Sequence, residues 1–297
     1  MDNNKISFLE KYNISPVLFA SLSLLFILFL YHFLGSIFIF FVLGDNLKSL
    51  DPFNLRIASS IGQLFFLLLP TLLLKKLTPD TYKNIFKLNP ISLKLIFYII
   101  INVLAIMEIA QILILLQSQI PFPNEIRDLI YQFKKSIEET YRILIQSQSI
   151  GEFLFVVFVI AIIPAFSEEL LFRGLIQSYF IKGLGVKKGI VITGLFFAVF
   201  HFNPFAFLGL LLLGIYFCFL VYKTNSVYSS IIGHFSNNFL ATLSIFLLGK
   251  EDIILNNNNE VILASELPTI FFVFILSLII FIFSLYLIYK ETDKQNK

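Results

Sequence analysis

The sequence predicts an all-α, polytopic transmembrane helical bundle of about eight membrane-crossing helices, with one further amphipathic helix at the interface. Three observations carry that prediction. The 297 residues are 58% hydrophobic and only 14% charged, where a soluble chain carries roughly a quarter charged residues. The apolar residues fall in blocks close to the ~20 residues that a helix needs to cross a bilayer. The blocks also run unbroken, as in FASLSLLFILFL at 19–30, whereas a membrane β-barrel needs short segments of alternating hydrophobicity.

Taken in order, the expected spans are 17–43, 57–74, 94–117, 152–181, 187–203, 204–222, 226–249 and 267–289. The first is too long for a signal peptide and has no small-residue cleavage site, so it is expected to be retained. Polar punctuation separates most of the others: GDNLKSLDPFN, KKLTPDTYKN, KGLGVKK, YKTNS and GKEDIILNNNNE. Between the fifth and sixth spans stands only HFNP, a tight turn at Pro204. Residues 121–151 differ, mixing apolar and charged side chains at helical spacing as an interfacial helix does. The tail KETDKQNK is polar and expected to be disordered. This divides the chain into three N-terminal spans (1–120), an amphipathic helix (121–151), a core of four spans (152–249) and a last span with its tail (250–297).

Lysine and arginine gather on the cytoplasmic side of membrane proteins. Fourteen fall in the two termini and the second, fourth and sixth connections, against seven in the remaining connections. Both termini are therefore expected in the cytoplasm, with the protein in the plasma (inner) membrane. A net charge of +3 without any basic block gives no sign of nucleic-acid binding. The single cysteine, Cys218, lies in an apolar run and reads as a small buried side chain.

The stretch SEELLFRGL at 167–175 places charge inside the fourth span. Ionisable groups at membrane depth cost several kcal/mol and mark functional sites by default. Residues four apart share a helix face, so Glu169 and Arg173 can pair while Glu168 points elsewhere. Of the three histidines, His201 follows Phe197 by four residues and His234 precedes Asn238 by four. Lipid offers no hydrogen bonds, so such groups are expected to meet in one polar cluster built from the fourth, fifth and seventh spans. EETYR at 138–142 has its arginine one residue too close and reads as solvated ion pairs, with Lys135 four residues before Glu139. Glu108 reads as a glutamic acid hydrogen-bonded to a neighbouring helix, and His32 as structural or interfacial.

Glu168-Glu169-x-x-x-Arg173, Phe197-x-x-x-His201 and His234-x-x-x-Asn238, in that order on successive helices, resemble the CPBP family. These are the CaaX proteases and bacteriocin-processing enzymes, also called the Abi group, and Gly174 fits the usual form of the first motif. The resemblance covers about 152–249 and implies an intramembrane endopeptidase acting on a peptide or membrane protein, with a prenylated C-terminus as the substrate of the CaaX branch. It implies that Glu168 and His201 polarise a water with Glu168 as base, and that His234 and Asn238 donate to the developing oxyanion. Glu169 and Arg173 would hold the site together, or Arg173 would attract a substrate carboxylate. No cofactor is firmly implied. A divalent metal such as zinc, if one is bound, would take Glu168, His201 and His234 as its three ligands.

Other chemistries fit less well. There is no His-Glu-x-x-His, no Gly-x-Ser-Gly, and every aspartate lies in a polar connection or tail. Two alternatives stay open: a catalytically silent scaffold or immunity factor of the same fold, and a proton-coupled transporter. The second lacks the internal repeat that transporters show.

Overall fold

In the computed structural model, residues 6–44, 51–121, 123–248, 263 and 265–295 are described, and among them there is no strand. In chain order the helices are α1 (Phe8–Lys11), α2 (Pro16–Leu43), α3 (Pro52–Lys75), α4 (Tyr82–Ile85), α5 (Leu93–Ser118), α6 (Asn124–Ile145), α7 (Ile150–Leu184), α8 (Val186–Phe200), α9 (Pro204–Thr224), α10 (Val227–Leu248) and α11 (Leu267–Gln295). Seven of them, α2, α3, α5, α7, α9, α10 and α11, are long and apolar enough to cross a bilayer. The fifth expected crossing is the 15-residue α8, about 22 Å long at 1.5 Å per residue and shorter than the ~30 Å hydrocarbon layer.

Helix starts follow from side chains that accept the first free backbone N–H groups. Ser15 accepts from Leu18, Asp51 from Asn54, Ser92 from Leu95 and Ser149 from Glu152, with Pro16 and Pro52 pre-set at the first helical position. Gly44 and Gly185 end α2 and the long α7 at φ +78° and +80°, which an L side chain would resist.

Among the described residues, four π-helical turns interrupt the long helices, at Phe29–Leu34, Gln63–Leu68, Val157–Ile162 and Leu170–Ile176. Such turns are rare and often mark functional positions. Pro164, just after the third, carries no N–H to return to the Ile160 carbonyl.

The chain forms two compact units, one of Met1–Ile91, Ile163–Phe197 and Gly214–Ile231, the other of Ser92–Ile162, Ala198–Leu213 and Ile232–Lys297. In the first, the C-terminal part of α7 packs on α2 so closely that a Cβ on Gly183 would lie 2.4 Å from Val17. Connections meet at one end of this unit: Lys182 bonds Asp80 at 2.6 Å, Asn89 donates to the Asn225 carbonyl at 2.8 Å, and Leu9 N–H to Leu77 at 3.4 Å. The N-terminal segment and the second, fourth and sixth connections therefore meet at one end of this unit.

In the second unit, α5 and α11 lie along each other. Buried Asn102 donates to the Phe281 carbonyl and to Ser284, both at 2.7 Å, and Lys94 lies 3.7 Å from Glu291. Phe153, Val157 and Ala161 pack against Phe235, Phe239, Leu243 and Phe246 of α10.

Three expectations change. Glu108 lies on the exposed face of α5 rather than against a neighbouring helix, because Ile106, Ile109 and Ala110 take the buried face. The tail is helical as far as Gln295, because α11 continues past its last apolar turn. The ion pair near EETYR is Lys134–Glu138 at 3.8 Å, not the expected Lys135–Glu139. The polar connection at 249–260 and most of that at 44–54 lie outside the described residues.

Candidate active site

Glu169 and Arg173 are wholly buried in the first unit, and their helical spacing brings Arg173 Nη1 to 2.8 Å from Glu169 Oε1. Arg173 Nη2 donates to the Gly214 carbonyl at 3.2 Å. The guanidinium also stands 4.2 Å from the centroid of the Phe197 ring, within range of a cation–π attraction. Phe172 meets Phe197 edge-on at 5.2 Å. A Cβ on Gly214 would sit 2.8 Å from the Gly194 carbonyl oxygen, so α8 and α9 meet backbone to backbone. That contact sets the Phe197 ring and the Gly214 carbonyl around one guanidinium. Behind the pair, Gly174 faces Phe86, whose Cδ1 would lie 2.3 Å from an added Cβ.

Glu168 is also buried, at 7% exposure, and is held from outside its own helix. Its Oε1 accepts from Gln63 Nε2 at 3.2 Å. The same Nε2 donates to the Tyr31 hydroxyl at 3.0 Å, and the Ser167 hydroxyl donates to Gln63 Oε1 at 2.7 Å. Tyr31 and Gln63 both sit in π-helical turns, of α2 and α3. Sequence reading missed these three residues. The available signal was a glutamine and a tyrosine inside otherwise apolar spans.

His201, His234 and Asn238 belong to the second unit. His201 lies in the turn that ends α8, followed by Phe202 at φ +47°, a left-handed conformation uncommon for a bulky side chain. Asn203 then accepts from the N–H groups of Phe205 and Ala206, which closes the turn at Pro204. His234 is buried on α10. Asn238, four residues on, donates from Nδ2 to the Ile160 carbonyl at 2.9 Å, and its Oδ1 accepts from Asn237 at 3.0 Å. It thereby serves the carbonyl that Pro164 leaves without its helical donor. Nδ2 carries a second N–H besides.

Cys218 is buried, as expected, and its carbonyl accepts from Gln177 at 2.9 Å. Within each unit, among the described residues, no three His, Cys, Asp or Glu side chains cluster to hold a metal ion. Of the three residues that a zinc ion would take, Glu168 belongs to the first unit and His201 and His234 to the second.

Residues 150–240 match the family model described as type II CAAX prenyl endopeptidase, Rce1-like. This segment is a CPBP-family intramembrane protease core. At family level the match supports a CAAX-type intramembrane endopeptidase. The CPBP core contains Glu168, Glu169, Arg173, Phe197, His201, His234 and Asn238, whereas Tyr31 and Gln63 come from helices outside it. No curated protein and no solved structure matches the chain.

Proposed function

We propose that the protein hydrolyses a peptide bond at membrane depth with a water activated by Glu168 and His201. One observation supports this most: Glu168 is a buried acid bonded to the Gln63 amide, beside a separate Glu169–Arg173 ion pair. Two adjacent glutamates thus stand in different surroundings, one on the Gln63 amide and one on the Arg173 guanidinium, the kind of division that acid–base chemistry uses.

In this reading Glu168 takes a proton from the water as the water oxygen attacks the scissile carbonyl. His201 orients that water. His234 and the second Nδ2 hydrogen of Asn238 donate to the oxyanion, a contribution of about 3–4 kcal/mol per donor. The proton then passes to the leaving nitrogen as the C–N bond breaks. Arg173, engaged by its own chain on three sides, holds the site rather than the substrate. The substrate is a peptide, with a prenylated CaaX C-terminus as first choice. The chain lies in the plasma (inner) membrane with both termini cytoplasmic and α8 completing an eighth crossing, and α6 lies along the lipid surface.

The test is incubation of purified protein with a farnesylated CaaX peptide and, separately, with a solubilised membrane proteome, beside Glu168→Gln and His201→Ala. Cleavage products should appear with the native chain and vanish in both variants. Products that persist in both contradict the mechanism, and a native chain inert on both substrates favours the silent scaffold.

A further inference from the structure

Outside the CPBP core, one side chain makes contacts that nothing in the fold alone demands. Gln63 is 8% exposed at the start of a π-helical turn of α3. Its Nε2 donates one hydrogen to Tyr31 Oη at 3.0 Å and the other to Glu168 Oε1 at 3.2 Å. Its Oε1 is fixed by the Ser167 hydroxyl at 2.7 Å. An amide in an apolar span costs several kcal/mol unless its hydrogen bonds are met. This one is met on all three sides, and one of those partners is the acid assigned as base.

The partners also suit both states of such an acid. A general base alternates between carboxylate, which only accepts, and carboxylic acid, which donates. With the amide turned over, Oε1 would accept from a protonated Glu168 and from Tyr31, while Nε2 would donate to Ser167. The Ser167 hydroxyl would then use the Ile163 carbonyl, already 2.8 Å away. Tyr31 and Ser167 can each either donate or accept, so all three partners keep a bond to the amide in the reversal.

We infer that Gln63, held by Tyr31 and Ser167, is the positioning residue of Glu168, keeping its carboxyl in one place in both protonation states. The inference rests on Glu168 as the base, and it assigns a role in the chemistry to α2 and α3. Gln63→Met keeps the length of the side chain and removes both hydrogen-bonding groups. It should lower kcat on the farnesylated peptide about tenfold or more with KM changed less than about twofold, the pattern of an interaction used in the transition state. Ser167→Ala should give a smaller loss, and adding it to Gln63→Met should cost nothing further, because Ser167 acts through the amide. Additive losses, or a loss confined to KM, overturn the inference.

A second readout needs no substrate. In protein labelled with 15N at its nine glutamines, the Gln63 side-chain amide signal is the one missing from Gln63→Met. That signal should shift in Glu168→Leu and in Ser167→Ala, and an unmoved signal in both overturns the inference whatever the activity. Should Glu168→Gln retain full turnover while the amide signal still responds, the base assignment falls and the hydrogen-bond set stands.

Discussion

Arg173 is surrounded by partners from its own chain, with Glu169, the Gly214 carbonyl and the Phe197 ring each taking part of the guanidinium. Breaking a buried pair from one side leaves an uncompensated charge and costs about 3–5 kcal/mol, whereas replacing both partners with apolar groups can be near neutral. Arg173→Met should therefore lower the melting temperature in detergent sharply, and Glu169→Leu added to it should recover most of the loss. Asn238 offers a comparable separation of roles. Its bond to Ile160 answers the proline four residues on, so Asn238→Ala should cost about 1–3 kcal/mol of stability. Pro164→Ala restores an N–H to that carbonyl and should recover stability in the Asn238→Ala background. Turnover should stay low there, because the oxyanion donor is still missing; recovery of both would make Asn238 purely structural.

The elements carry their own tests. Gly174 lets α7 lie against Phe86, and a Cβ there would meet the ring at 2.3 Å. Gly174→Ala should cost about 1–3 kcal/mol as an overpacked contact, and Phe86→Leu should relieve it, both read by thermal unfolding. Helix α6 is the other case. Among its described side chains none is buried, and Ile126, Leu129, Phe133 and Tyr141 present a shared apolar side at 42–68% exposure. Short connections tie it to α5 and α7, two apolar spans, and the proposal that α6 lies along the lipid surface turns this apolar side toward the interface. The chain has no tryptophan, so Leu129→Trp is a clean reporter. Its fluorescence should be quenched by lipids brominated near the headgroup, while Lys135→Trp on the polar side should not; equal responses would place α6 away from the bilayer.

At the scale of the whole chain, the helices and most of their ends were legible, because apolar blocks, Ser-Pro and Asp-Pro starts and terminal glycines are local signals. Glu168, Glu169, Arg173, His201 and His234 stand out in the sequence because charge and imidazole are conspicuous among apolar residues, and four-residue spacing ties Phe197 and Asn238 to them. What stayed hidden was pairwise. Nothing in the sequence tells that Gln63 meets Glu168 across 105 positions, or that Asn238 serves a carbonyl freed by Pro164. The exposed Glu108 was misjudged because hydropathy gives depth in a membrane but not the direction a helix face turns. The sidedness is a property of the molecule as a whole, and the only native cysteine is buried. An impermeant maleimide should therefore label Ser7→Cys and Asp293→Cys from the cytoplasmic side and Ile120→Cys from the other, and the reverse pattern would invert the topology.

The acid that takes the proton from water is the claim on which the rest depends. The most direct measurement is product formation by purified Glu168→Gln against the native chain on the farnesylated peptide, with melting temperatures recorded for both. The account predicts no detectable product from a variant that melts within a few degrees of the native protein. Native rates of cleavage from that variant would contradict it.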